Sequence, residues 1–302
     1  MGAGNLLGNN GEILNTGVEL SLNWSDKIGK DFSYFIGANL TTLHNEVKDL
    51  NGLSYLYGGT AEFRTISKVG GELNAYYGHE IAGVYQNEAE IAADPIAVAN
   101  DLKPGDFKYV DQNQDGKIDD KDRVTLGSYI PNFTYGINLG FSYKNFDFSM
   151  VMQGVTGNQI VNRKRGDRRW HSELNYDADQ VENRWTGEGS TNSYMSAAGS
   201  VNPWNIAKFN SFYVEDGSYF RIQNVQVAYT FPKKDFGKFK MPSVRLSLTA
   251  DRPLTIFKAN SFSPELGGVK NEDGSMPSSS YGFDERVYPL SSAYTLGLRI
   301  IY

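Results

Sequence analysis

Seven segments of this chain alternate apolar and polar residues, and a period of two is what a β-strand shows when its two faces meet different surroundings. Between Asn132 and Tyr143, one face carries Phe133, Tyr135, Ile137, Leu139, Phe141 and Tyr143, and the other Thr134, Gly136, Asn138, Gly140 and Ser142. The next segment sets Phe146, Phe148, Met150 and Met152 against Asp147, Ser149, Val151 and Gln153, with Val151 as its one break. Leu20, Leu22 and Trp24 follow Val18 on one side of an earlier segment. Phe32, Tyr34, Ile36, Ala38 and Leu40 line the next, where Phe35 falls on the polar side. Val225, Val227, Tyr229 and Phe231, then Val244, Leu246, Leu248 and Ala250, and finally Leu296, Leu298 and Ile300 complete the set. A membrane-crossing strand needs about 9–11 residues, and these segments reach that length. The pattern predicts an all-β chain: about seven strands of a large antiparallel transmembrane β-barrel, apolar toward lipid and polar toward an aqueous interior. A half-buried sheet of a soluble sandwich shares the alternation.

Connector lengths separate the two. Ser25–Asp31, Lys144–Asn145 and Pro232–Pro242 are short, whereas about 48–131, 162–217 and 257–289 are long, in strict alternation. Outer-membrane barrels have short periplasmic turns and long extracellular loops, so the seventh strand is expected to run inward and end at Tyr302 in the periplasm. Tyrosine and phenylalanine, 19 and 17 in 302 residues, suit aromatic girdles at the two membrane interfaces. No apolar run approaches the length of a transmembrane helix. The absence of cysteine excludes disulfides and thiolate metal sites, and a net charge of −6 argues against nucleic acid as a partner. Met1–Gly11 has neither the basic nor the apolar region of a signal peptide, and an odd strand number leaves a barrel unclosed. Both lead to the expectation that residues 1–302 are the C-terminal part of a longer barrel protein, without its plug domain and N-terminal strands.

Inside the first long connector, Asp111, Asn113 and Asp115 stand at positions 1, 3 and 5 of a calcium-type loop. Gly116 stands at the sharp turn, the Lys117 carbonyl at position 7, and Asp119 and Asp122 at positions 9 and 12. The spacing predicts a structural Ca²⁺ site, with Mg²⁺ as the second choice because Asp at position 12 is shorter than the usual Glu. Phe107–Val110 and Arg123–Leu126 on either side read as strands rather than helices, which makes this a lone stapling loop and not a paired sensor.

Three stretches, Asn9-Asn-Gly-Glu-Ile-Leu-Asn-Thr-Gly-Val18-Glu, Lys103-Pro-Gly-Asp-Phe-Lys-Tyr-Val-Asp111 and Ile130-Pro-Asn-Phe-Thr-Tyr-Gly-Ile-Asn-Leu-Gly140, resemble the C-terminal barrel half of SusC/RagA-type TonB-dependent transporters. So do Tyr219-Phe-Arg-Ile-Gln-Asn-Val-Gln-Val-Ala-Tyr229 and the ending from Tyr288 to Tyr302. The resemblance implies a barrel of about 22 strands around a plug in the outer membrane of a Gram-negative, Bacteroidetes-type bacterium. It also implies import of oligosaccharide or peptide cargo, a SusD-like surface lipoprotein as lid, and energy from a TonB complex acting through the N-terminal remainder. The chain departs from the family at Asp251-Arg-Pro-Leu254, where an Asn-Leu-Phe run is common.

The basic cluster Arg163, Arg165, Arg168, Arg169 with Trp170 and His171 suits acidic cargo, lipid phosphates or the lid protein, although a loop salt-bridged to its own neighbours is the plainer reading. Trp170, Trp185, Trp204 and Tyr213 offer flat apolar faces to sugar rings, or to loop packing. Asp177–Trp185 has the character of a short helix with an Asp at its start and Gly187 after its end. Only His44, His79 and His171 supply imidazoles, none within a nucleophile motif, so the chain is not expected to be an enzyme. The alternatives to a transporter are a soluble calcium-dependent glycan-binding β-sandwich and a non-transporting barrel adhesin. In the transporter reading Glu19, Asn138, Gln153, Asn224, Gln226 and Arg299 line the lumen, and the three long loops form its mouth.

Overall fold

A computed structural model describes residues 11–60, 63–165, 177–199, 202–237, 240–267, 278–284 and 287–301. Its largest element is one antiparallel sheet of seven strands: β1 (Glu19–Ile28), β2 (Phe32–Thr42), β3 (Phe133–Tyr143), β4 (Phe146–Thr156), β5 (Tyr219–Phe231), β6 (Ser243–Phe257) and β7 (Ala293–Ile301). Each strand pairs with its neighbours in sequence order, and β1 and β7 are the two edges. All seven alternating segments are therefore strands. The first connector is shorter than the sequence suggested, because β1 continues to Ile28 and turns only at Gly29, whose φ of 68° favours glycine.

Register fixes which side chains share a face. Leu139 lies between Ile36 and Met150, and Gln226 between Ser149 and Thr249, so the apolar and polar sets of successive strands continue one another across the sheet. On the polar face Asn224 donates to Asp251 at 2.7 Å, Gln226 donates to Thr249 at 2.9 Å, and Arg245 pairs with Asp147, beside Arg299. Phe35, the aromatic on the polar side, has its ring over Gly140, where an added Cβ would lie 2.6 Å from Cε1. Glycine on the neighbouring strand thus makes room for the exception.

At Asp251-Arg-Pro-Leu254 the strand persists but bulges. Ile222 pairs with Leu254 and Asn224 with Asp251, leaving Gln223 opposite Arg252 and Pro253, and Arg252 adopts φ 49°. Proline cannot donate to the ladder, and a bulge is where a sheet tolerates it. The extra residue also switches parity, so that Ile222 and Val225 both face the apolar side while Arg221 and Asn224 both face the polar side.

The apolar face of this sheet is not covered by protein. Among the described residues, every buried apolar side chain lies outside the seven strands except Ala228, whereas Leu22, Trp24, Leu248, Leu296 and Leu298 remain between 50% and 77% exposed. A sandwich would cover that face with a second sheet. β3 has 11 residues, which at ~3.3 Å per residue and a tilt near 45° spans ~26 Å, close to the ~25 Å apolar band of a barrel. Rings crowd the end with the short turns: Phe32 packs on Phe141, Phe141 on Phe146 and Phe148, and Tyr229 on Phe231. There Trp24 Nε1 donates to the Tyr34 hydroxyl and the Lys144 ammonium sits over Tyr143. These are ring bodies in an apolar layer with their polar tips at its border.

The long connectors are not extended loops. The first holds a four-stranded sheet of Tyr55–Gly59, Arg64–Lys68, Ala75–His79 and Arg123–Gly127, a pairing of Ile81–Val84 with Phe107–Tyr109, and the helices Glu88–Ala93 and Pro95–Ala99. Two cores bind the connectors together. Val84, Tyr85, Phe107 and Tyr109 of the first pack with Met195, Trp204 and Ile206 of the second. Phe63 and Tyr76 of the first pack with Phe209 and Tyr213 of the second and Phe283 of the third. Phe283 stands edge-on to Tyr76 at 5.4 Å and to Phe63 at 6.1 Å. Truncating Phe283 to Ala is expected to cost about 3–5 kcal/mol of local stability. Limited proteolysis of the variant is expected to open all three connectors together, while the circular dichroism of the sheet in detergent is unchanged.

Candidate functional site

Two regions carry functional candidates: the cap made by the connectors and the polar face of the sheet beneath it. Within the cap, the acidic loop runs from the strand Phe107–Tyr109 to the strand Arg123–Gly127, as the sequence implied, and those strands belong to different sheets. The loop closes on its own backbone. Asp111 accepts from Gly116 N at 2.8 Å, Asn113 from Asp115 N at 3.0 Å and Asp115 from Lys117 N at 3.1 Å. Gln114 and Gly116 take left-handed conformations, φ 59° and 79°, which wind the chain tightly enough for these bonds. Asp122 is fully buried, its oxygens accepting from Gln112 N at 3.0 Å and Asp119 N at 2.7 Å.

The cap holds this loop from two sides. His79, 2% exposed, sets its Nε2 2.9 Å from the Asp119 carbonyl. Burial, the largest influence, together with the nearby charges of Arg123 and Lys208 lowers the imidazole pKa despite its two backbone carbonyl partners, so a neutral ring with its proton on Nε2 suits the shorter contact. Asp120 pairs with Arg123 at 2.9 Å and Arg64 at 3.5 Å. Burial, the largest single influence on Asp120, would raise its carboxyl, but the two guanidinium groups together hold it below the usual range. The donor set suits an oxygen-seeking cation, since Asp111, Asn113, Asp115 and Asp119 each keep acceptor capacity beyond the bonds they make. As arranged here, no group of three or more His, Cys, Asp or Glu side chains among the described residues is gathered closely enough to hold a metal.

Of the cationic and aromatic candidates among the described residues, Arg165, Trp204 and Tyr213 are buried and Arg163 and Trp185 are partly buried. Arg165 is 6% exposed and bonds Glu215 at 2.8 Å and Asp179 at 2.7 Å, with its guanidinium 4.4 Å from the centre of the Phe212 ring. Glu215 in turn accepts from Asn162 Nδ2 and from Asn260 N, which joins the second connector to the third. Arg163 is half-buried over the Phe63 ring. Trp204 donates Nε1 to the Phe107 carbonyl at 2.8 Å, and the Tyr213 hydroxyl donates to the Ile206 carbonyl at 3.2 Å. Trp185 is partly buried and donates to Gln86. In this structure these side chains pack against and brace the cap. Arg168, Arg169, Trp170 and His171 lie outside the described residues. The helix expected after Asp177 spans Ala178–Asn183. His44 is exposed, 3.9 Å from Glu46.

The lumen candidates Glu19, Asn138, Gln153, Asn224, Gln226 and Arg299 share the polar face in register. Sequence reasoning missed Arg221 on that face and Glu265 of the third connector, which meet at 2.6 Å. The Arg was hidden by the parity switch at Gln223. The Glu stood in a segment with no periodicity to place it.

No family model matches the chain. It is 30% identical to TonB-dependent receptor P26 of Formosa agariphila over 98% of its own length and 30% of that receptor, and 28% identical to TonB-dependent receptor P3 of the same organism. It is 24% identical to TonB-dependent receptor SusC of Bacteroides thetaiotaomicron, over 97% of its length. Among solved structures, the RagAB peptide transporter superposes with a TM-score of 0.74 at 21% identity, covering 97% of this chain and 30% of that one. The RagAB peptide importer in its closed-closed state gives 0.72 at 22% identity. The chain spans about 30% of the length of the curated relatives it matches. These relatives are receptors and transporters, not enzymes, in keeping with a sequence that lacks a nucleophile motif. An uncovered apolar sheet of barrel-strand length and a cap on its long-connector side accord with this set of relatives: over nearly its whole length the chain is similar to a barrel portion of SusC-like TonB-dependent receptors of the Gram-negative outer membrane.

Proposed function

We propose that this chain forms part of the wall and of the extracellular mouth of an importer for oligomeric nutrients, peptides or glycans, which a SusD-like surface lipoprotein closes from outside. A TonB complex acting through the remainder of the same transporter, including its plug, displaces the plug and lets the cargo pass. The observation that carries this reading is the sheet itself, apolar and uncovered on one face and lined with amides and hydroxyls on the other. The RagAB structures, described as a peptide transporter and importer, support a peptide as cargo. The shared cores of the cap support a preformed mouth, because connectors that bury Phe283, Tyr76 and Tyr213 together present one surface to a lid. The complete receptor, tagged and purified from outer membranes, is expected to retain a surface lipoprotein, and cells lacking that lipoprotein are expected to lose uptake of oligopeptides or oligosaccharides. Retention of no such partner, with uptake intact, would count against the lid.

The acidic loop is assigned to a structural Ca²⁺, with Mg²⁺ as the weaker ligand. Asp111, Asn113, Asp115, the Lys117 carbonyl, Asp119 and Asp122 would hold it, and their spacing together with the wound backbone supports the assignment. Binding draws the carboxylates inward and locks the two sheets on either side. At a hundredfold excess over its dissociation constant a ligand adds about 2.7 kcal/mol of stability. Ca²⁺ is therefore expected to raise the melting temperature and protect the first connector from protease, chelator is expected to reverse both, and Asp111→Ala is expected to abolish the response. Identical cleavage with and without chelator would remove the metal from this account.

A further inference from the structure

The third connector returns Glu265 to the polar face of the sheet, where its carboxylate meets a set of partners built into the wall. Glu265 Oε2 accepts from Arg221 Nη1 at 2.6 Å, and Oε1 accepts from the Tyr219 hydroxyl at 2.9 Å and more loosely from Gln153 Nε2 at 3.4 Å. Gln153 on β4 is the register partner of Arg221 on β5, and Thr255 on β6, opposite Arg221, accepts from its Nε at 3.2 Å. The guanidinium also lies 5.1 Å from the centre of the Tyr219 ring. Three adjacent strands therefore hold the cation in place. The Arg221 side chain is 3% exposed and that of Glu265 45%. Arg221 Nη2 is buried without a hydrogen-bond partner among the described residues.

The asymmetry matters. An exposed carboxylate on a connector can leave for water at little cost, but a buried guanidinium cannot be left without an anion. Another carboxylate replaces Glu265 on even terms, and the spare Nη2 donor allows the two-point contact that arginine offers such a group. Alongside, the same face carries an open trough of about 340 Å³ lined by Asn39, Thr41, Thr134, Asn138, Gln153 and Tyr219, with no charged side chain in its lining. Gly136 keeps its floor low, since a Cβ there would lie 2.3 Å from Asn39 Oδ1. Gln153 and Tyr219 belong to both the trough and the Glu265 contact, so the two are continuous.

We propose that Gln153, Tyr219 and Arg221 form a carboxylate subsite on the cargo path, occupied in this structure by Glu265 as an internal stand-in, and that a carboxylate borne on an otherwise uncharged chain in the trough displaces it. This rests on the import reading above. Glu265 then sets the threshold for cargo, because a tethered competitor acts at high effective concentration.

The test uses the complete receptor in detergent with four probes: N-acetyl-tetraalanine, its C-terminal amide, a trisaccharide carrying a single terminal galacturonate and the methyl ester of that trisaccharide. Glu265→Gln is expected to tighten binding of at least one acid about tenfold, equivalent to ~1.4 kcal/mol, and to leave the amide and the ester unchanged. Adding Arg221→Gln is expected to remove the gain. A response confined to the peptide pair or to the uronate pair identifies the source of the carboxylate. Equal tightening of acids and neutral partners, or no tightening with the variant folded and heat-stable, overturns the subsite. If the neutral probes bind and the acids gain nothing, the subsite fails while import stands. If no probe binds and intact cells take up none of them, both readings fall.

Discussion

The structure depends on an apolar surface that the protein does not cover. A sheet whose leucines, valines and aromatics stay exposed in water would lose the main favourable term of folding, worth roughly 25 cal/mol per Å² of apolar area. The outer membrane supplies the missing contact. The connector pattern, the rings crowded at the short-turn end and the polarity of the other face follow from that one condition. The same condition explains why the apolar core lies in the connectors: the sheet has a solvent of its own, and the cap, standing in water, must bury Tyr76, Phe107 and Phe209 to hold a shape.

The cap in turn constrains what the mouth can do. Three connectors that share Phe63, Tyr213 and Phe283, and are cross-tied by Arg165, Glu215 and Asn260, cannot open one at a time without breaking a common core. In the import reading proposed above, a rigid rim leaves the motion to the lid and the plug. The contact of Glu265 with Arg221 differs in kind, since one of its partners is exposed and can leave.

Much of the sheet was legible in the sequence because its logic is local. Strand β3 shows a full separation of faces from Phe133 to Tyr143, and the paired register repeats it. The cap was less legible. Spans treated as loops contained helix signals such as Asn87 before Glu88, Asp94 before Pro95 and Asn202 before Pro203, and each of these residues caps a short helix. Their elements are only 4 to 6 residues long, too short for periodicity to mark. Arg165 and Trp204 read equally well as gripping or bracing residues, because the sequence does not say which side chains its connectors will bury.

The sequence by itself determined the strands, their faces, the alternation of short and long connections and the spacing of the carboxylates and amide in the acidic loop, since each follows from neighbours a few positions apart. Tertiary structure alone decided that the connectors fuse into a cap, that Arg165 is spent on Glu215 and Asp179, and that Glu265 reaches Arg221 across 44 positions. Those outcomes depend on which distant surfaces meet and on a single-residue bulge at Gln223 that redirects everything before it. Chain closure over such distances is governed by packing of the whole, which no local pattern records.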